Sequence, residues 1–251
     1  MIKAFIFDLD GTLVQTEALK AESYARAAVE LDGGLTEDEV ISAFMDYVGL
    51  SRKEVAEGLL KHFDLGPKAA ARMKELGVSA PWQAFVEIRL KSYFQMISDP
   101  EIVKEHLCPY NYGLLKKVRD EGYPTGLGTM SHREEAYRVM DILGIADDFD
   151  FIATIEDVDR GKPDPEIYNL LAGELGTEHD ECLVIEDSAS GVKAALAARM
   201  YCMVVTTDYT RAGVHALPPS PEMRVLDDAT RLIPAVDEFV QELSGARESA
   251  G

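Results

Sequence analysis

Apolar positions divide this chain into three textures. Residues 2–7 are a run of mostly apolar β-formers that stops abruptly at Asp8, the pattern of a strand buried on both faces. From residue 17 to about residue 98, β-branched runs vanish and apolar residues recur at helical spacing. Leu19, Tyr24, Ala27, Ala28 and Leu31 form one such face, and Val55, Leu59, Leu60 and Phe63 form another. Glycine and proline punctuation at residues 32–34, 49, 66–67, 77 and 81 divides this stretch into about five helices. After Pro109 strands and helices alternate. Helices are expected over 113–121, 134–143 (closed by Gly144), 165–176 and 190–199, and strands over 124–129, 149–154, 182–185 and 201–205. Residues 244–251 read as a frayed tail.

Alternating strands and helices predict an α/β fold, a doubly wound parallel sheet with a Rossmann-like core. The first strand is cut off from the rest of its sheet by the helical stretch. The expected organisation is therefore a core of residues 1–15 and 106–251 with an inserted all-helical cap domain, residues 16–105. An insertion after a parallel strand enters above the carboxyl edge of the sheet, where ligands bind in such folds, and would act there as a lid. The alternative is a separately folded helical domain with no link to any site.

Charge and cysteine content narrow the setting. The 251 residues carry 45 acidic against 25 basic side chains, a formal net charge of -20. Such a surface repels nucleic acid and anionic lipid, so neither is an expected partner. A phosphorylated metabolite would be repelled too, unless cations or a metal are gathered locally. No stretch approaches the roughly 18 apolar residues of a membrane helix. The first strand meets acids too soon to be a signal peptide. Cys108, Cys182 and Cys202 are odd in number and widely spaced, which suits a reducing cytoplasm better than a disulfide framework or zinc site.

Four short constellations carry candidate chemistry. Asp8-Leu9-Asp10-Gly11-Thr12 follows the first strand, and two carboxylates two residues apart can point the same way there. Packed so closely they repel, unless a hard cation such as Mg²⁺ sits between them; the plainer alternative is a simple turn. Gly126 to Ser131 closes a second strand, where Thr129 or Ser131 would bind a phosphoryl oxygen or cap the next helix. In Gly161-Lys162-Pro163-Asp164-Pro165 the prolines stiffen a turn that holds Lys162, whose ammonium can neutralise a nucleophilic carboxylate and a transferring phosphate. Glu186-Asp187-Ser188-Ala189-Ser190-Gly191 follows a third apolar strand. There Asp187 or Ser188 either caps a helix or, for Asp187, joins Asp8 and a carbonyl of Asp10 around Mg²⁺.

With these elements in this order, the sequence resembles the haloacid dehalogenase superfamily, in the branch with a helical cap inserted after the first strand. The D-x-D-G-T, T-x-S, G-K-P-x-P and E-D-S-x-x-G elements are all present, and the likeness runs from Ile2 to about Val205. The resemblance implies that Asp8 is the nucleophile and Asp10 the general acid and base, with its carbonyl on Mg²⁺. It implies that Thr129 and Lys162 hold phosphoryl oxygens, that Asp187 ligates the metal, and that Glu186 supports it directly or through water. Keeping Asp10 argues against carbon–halogen and carbon–phosphorus cleavage. The segment 109–112 departs from the Pro-Gly common in relatives.

Two features of the helical stretch are candidate substrate contacts. Gly49-Leu50-Ser51-Arg52 is similar to a G-x-S-R loop by which related sugar-phosphate enzymes reach the distal end of substrate, with Ser51 alternatively a helix cap. Lys20 follows the first motif by one to two helical turns, and is otherwise an ordinary solvated charge. The expected function is a phosphatase of a small phosphorylated, sugar-phosphate-like metabolite, working as a monomer or weak dimer. The alternatives are a hexose-phosphate mutase resembling β-phosphoglucomutase, in which a histidine commonly stands where Lys20 is, and a catalytically silent sensing module. The presence of Asp8, Asp10, Lys162 and Asp187 argues against the last.

Overall fold

The computed structural model describes residues 1–48 and 50–248. The chain resolves into two compact units, one comprising Met1–Gln15 and the chain from Val103 onward, the other Thr16–Ile102. The second boundary thus falls a few residues before the expected 105/106.

β1 (Ala4–Phe7) is buried at every position. The chain then leaves the first unit and returns through two linkers that pair with each other. Gln15 N donates to His106 O at 2.8 Å and Cys108 N to Leu13 O at 2.9 Å. The Gln15 amide also reaches Cys108 Sγ at 3.1 Å and Gly11 O at 3.4 Å.

The second unit is helical, as its apolar spacing predicts. It contains α1 (Thr16–Leu31), α2 (Glu37–Phe44), α3 (Arg52–His62), α4 (Gly66–Leu76) and α5 (Pro81–Met96), and α6 (Pro100–Glu105) leads out of it. Capping boxes start two of them, Thr36 with Glu39 on α2 and Ser51 with Glu54 on α3. Its core gathers on α1, where Leu19, Tyr24, Ala27 and Ala28 are buried. The Tyr24 ring lies 5.7 Å from both Phe44 and Phe85. Gly49, the first residue of the G-x-S-R likeness, lies outside the described residues.

From α7 (Pro109–Asp120) onward the chain alternates β2 (Thr125–Gly128), α8 (Arg133–Leu143), β3 (Phe151–Ala153), α9 (Glu166–Glu174), β4 (Cys182–Glu186), α10 (Ala189–Ala197) and β5 (Tyr201–Val205). It then adds α11 (Arg211–His215), β6 (Met223–Leu226) and α12 (Leu232–Glu248). Among the described residues the sheet has six parallel strands in the order β3-β2-β1-β4-β5-β6. Strand order reverses between β1 and β4, which is where a doubly wound sheet opens its crevice.

Several sequence expectations change here. α7 starts at Pro109, four residues early, because proline suits a first helical turn that needs no N–H donor. Residues 244–248 continue α12 instead of fraying; residues 249–251 lie outside the description. β6 gave no apolar signal because it pairs with β5 alone and is half-exposed around Arg224. β2 looks weak as a strand, since two of its four residues are glycine. A Cβ on Gly126 or Gly128 would come within 3.0 or 2.8 Å of the Leu171 side chain, so the glycines let α9 pack directly on the sheet.

Candidate active site

The register of the sheet assembles the site. Phe7 pairs with Leu127 of β2 and with Ile185 of β4, so Asp8, Gly128 and Glu186 follow at three adjacent strand ends. Asp8 N donates to Ile185 O at 3.0 Å, extending the β1–β4 ladder into the motif itself. Asp8, Glu186 and Asp187 are all buried, at 5%, 0% and 2% exposure. Each offers an oxygen, and these oxygens lie within 4.8 Å of one another.

Lys162 answers this negative charge. Its ammonium has three protons, and three acceptors meet it: Asp8 Oδ1 at 2.6 Å, Glu186 Oε1 at 2.7 Å and Gly128 O at 2.9 Å. Its side chain is only 4% exposed. Although burial disfavours the charged form, Asp8 and Glu186 keep the ammonium protonated well above its ordinary range. Burial pushes the Asp8 carboxyl up to about 7, opposed by Lys162 and reinforced by the Glu186 and Asp10 charges. Glu186 lies below the usual carboxylate range: burial raises it, but Lys162 and its hydrogen bonds outweigh that.

Glu186 is fully engaged. Glu186 Oε1 accepts from Lys162 and from Tyr168 Oη at 2.9 Å. Its Oε2 accepts from Asp187 N and Ser188 N, both at 2.9 Å, and from Ser188 Oγ at 3.0 Å. Five donors saturate a group with about four lone-pair positions, so Glu186 is held as a bracket. Ser188 also caps α10, accepting from Gly191 N at 3.1 Å, so the cap reading of this motif belongs to Ser188. Two glycines make room for the acids. A Cβ on Gly11 would fall 2.1 Å from Asp187 Oδ2, and one on Gly191 would fall 1.7 Å from Glu186 Oε1.

The β2 end is built differently from expectation. Neither Thr129 nor Ser131 caps α8, whose N-cap is His132. Both hydroxyls instead donate to Asp10 Oδ2, Thr129 at 2.9 Å and Ser131 at 2.6 Å. Thr129 Oγ1 also accepts from Ser131 N at 3.0 Å. A hydroxyl has one proton, so in this arrangement both serve Asp10.

The first unit therefore gathers Asp8, Asp10, Thr129, Ser131, Lys162, Glu186 and Asp187. Lys20 and Arg52 belong to the helical unit. There Lys20 is ion-paired with Glu17 at 2.7 Å. Arg52 opens α3, behind Ser51 as its cap, and its carbonyl accepts from Tyr24 Oη at 3.4 Å. Sequence reading missed Tyr168 and the packing roles of Gly11 and Gly191. A tyrosine six positions after Lys162 was visible, but not that its hydroxyl would meet Glu186.

The donor set fits a hard divalent cation. Three clustered carboxylates, Asp8, Glu186 and Asp187, share one ammonium that reaches two of them, and all-oxygen ligands suit Mg²⁺. Because Glu186 is spoken for, Asp8 and Asp187 are the side chains placed to hold such an ion. Among the described residues, no helix is long and apolar enough to cross a membrane.

Residues 2–199 match the profile of the haloacid dehalogenase-like hydrolases. The chain is 29% identical over 209 residues to validoxylamine A 7'-phosphate phosphatase of Streptomyces hygroscopicus subsp. limoneus, covering 83% of this chain and 88% of that protein. It is 28% identical to phosphorylated carbohydrates phosphatase of Thermotoga maritima, covering 81% and 86%. Its fold matches the crystal structure of β-phosphoglucomutase from Clostridium difficile with a TM-score of 0.69 and 27% identity, covering 96% and 98%.

Proposed function

Because the chain belongs to the haloacid dehalogenase-like hydrolases, we propose that it is a Mg²⁺-dependent phosphatase of a small phosphorylated, sugar-phosphate-like metabolite. The observation that carries this reading is the buried Lys162 ammonium on Asp8 Oδ1, with Asp187 beside it. The two phosphatases named above, one of them named for phosphorylated carbohydrates, support the substrate class.

In the proposed reaction an Asp8 oxygen attacks phosphorus, and the bond from phosphorus to the leaving oxygen breaks. Asp10 gives that oxygen a proton, then takes one from the water that attacks the Asp8-bound phosphoryl group, releasing phosphate, restoring the Asp8 carboxylate and returning Asp10 to its protonated form. Thr129 and Ser131 fix where Asp10 points and are the hydroxyls able to turn toward the phosphoryl oxygens. Lys162 offsets charge on nucleophile and phosphoryl group together. Mg²⁺, held by Asp8 and Asp187 with the Asp10 carbonyl, would supply positive charge that offsets repulsion between an anionic substrate and an anionic site. The helical unit is proposed as the cap, with Arg52 and Lys20 contacting the organic part of the substrate.

Gly191→Ala tests the bracket around Glu186. A Cβ 1.7 Å from Glu186 Oε1 must displace that carboxylate, and Lys162 with it. Displacement on the 1 Å scale costs about 100-fold in turnover, to be read from steady-state kinetics. Near wild-type turnover would show that the bracket is dispensable.

The function itself is tested by a panel of phosphorylated metabolites with Mg²⁺, scoring free phosphate and isomerised product separately. Release of phosphate is expected. Glucose 6-phosphate formed from β-glucose 1-phosphate, with a trace of the 1,6-bisphosphate, much faster than phosphate release would instead favour the mutase that the Clostridium difficile likeness suggests. EDTA is expected to abolish turnover and Mg²⁺ to restore it. Because the Asp8 carboxyl holds its proton up to about 7, protons compete with the metal. Apparent Mg²⁺ affinity should fall as pH drops below that value and level off above it. A titration with no pH dependence between 5.5 and 8 (chosen to span about one unit or more either side of 7) would contradict Asp8 as a ligand.

A further inference from the structure

We propose that Tyr168, which has no part in the scheme above, is a positioning residue that keeps the Lys162 ammonium directed at Asp8 by occupying Glu186. The inference rests on the site being the phosphatase centre just described.

Lys162 is shared between two carboxylates, Asp8 at 2.6 Å and Glu186 at 2.7 Å. Whatever strengthens one partner's hold draws the ammonium from the other. The Tyr168 hydroxyl acts on the Glu186 side of this contest. Fully buried, it donates to Glu186 Oε1 at 2.9 Å, the same oxygen that Lys162 engages. Burial and the Glu186 charge hold the phenol well above its ordinary range, so it remains a donor. The Tyr168 ring also lies 5.0 Å from the Lys162 ammonium, within cation–π reach.

The position of this ring is fixed by the sheet. α9 lies against the glycines of β2, and a Cβ on Gly128 would stand 3.6 Å from Tyr168 Cε1. The carbonyl of that same Gly128 is the third acceptor of Lys162. Strand, ring and ammonium are thus stacked in register. Without the hydroxyl, Glu186 Oε1 keeps Lys162 as its charged donor, their bond tightens, and the ammonium moves away from the nucleophile. Oε2, held by Asp187 N, Ser188 N and Ser188 Oγ, gives Glu186 no freedom to follow.

Tyr168→Phe removes one oxygen and keeps the ring. With p-nitrophenyl phosphate and Mg²⁺, kcat is expected to fall about tenfold, the worth of one buried hydrogen bond to a charged group. KM should stay within about twofold, because Tyr168 is not placed against substrate. In protein labelled with ¹⁵N-lysine, the ammonium signal assigned by its loss in Lys162→Arg should shift and broaden, while a thermal melt shows the protein still folded at the assay temperature. A kcat within twofold of wild type, or a Lys162 signal that does not move, overturns the proposal. If the wild-type protein releases phosphate from no member of the panel, the proposed function fails independently. The Lys162 signal alone then decides the role of Tyr168: a moved signal sustains it, an unmoved one removes it.

Discussion

Replacing Asp8 by asparagine is expected to bring turnover to background, a loss of about 10⁴-fold or more, while the protein stays folded. Asparagine fills the same volume, and its amide oxygen can still accept from Lys162. What disappears is the anionic oxygen proposed to attack phosphorus, and no neighbour can replace it. Glu186 is bound by five donors, Asp10 is held by Thr129 and Ser131, and Asp187 lies just past the end of β4 with its carboxylate against Gly11. The fold should tolerate the change because a buried carboxyl pushed up to about 7 is not a favourable charge to begin with. The measurement is steady-state phosphate release beside a thermal melt. Retention of more than a few per cent of activity would remove Asp8 as nucleophile.

The second large effect is on stability as well as rate. Lys162→Met leaves Asp8 and Glu186 buried without the ammonium that both engage, at side-chain exposures of 8% and 1%. Breaking a buried pair from one side costs about 3–5 kcal/mol, and here one residue serves two partners. The loss should depend on pH in a definite direction. Lys162 is what opposes burial and the Glu186 and Asp10 charges at Asp8, so without it the Asp8 carboxyl rises further above its unfolded value and the folded state binds more protons. Stability of the variant should therefore fall as pH rises, and its deficit relative to wild type should be largest above about pH 7 and shrink toward pH 5. Urea denaturation of both proteins across that range checks this. A variant as stable as wild type at pH 8 would show that Lys162 carries no structural charge balance.

Much of this protein was legible from its residues because the relevant signals are local. A run such as Leu183-Val184-Ile185 can only be buried on both faces, and its period differs from that of Leu19, Tyr24 and Ala27 whatever surrounds it. The alternation of the two periods predicted the doubly wound parallel sheet that the structure contains. Motif order likewise put Asp8, Thr129 and Glu186 at strand ends, since each directly follows an apolar run.

Other features depend on what meets what across the chain, and no local pattern encodes that. β2 is a strand despite Gly126 and Gly128, because Leu171, far along the chain in α9, takes the space a side chain would need. β6 and α12 were missed because their apolar faces are defined by β5 and the core rather than by a run of their own. The sequence named the titratable groups but left their division of labour open, because that depends on three-dimensional hydrogen-bond competition. Strand register places Glu186 where five donors reach it, which is why Asp187 rather than Glu186 is the proposed metal ligand. It also places Tyr168 against Lys162, and turns Thr129 and Ser131 toward Asp10. Composition and period determined which residues could meet at the sheet edge; only packing decided which atom of each accepts which hydrogen bond.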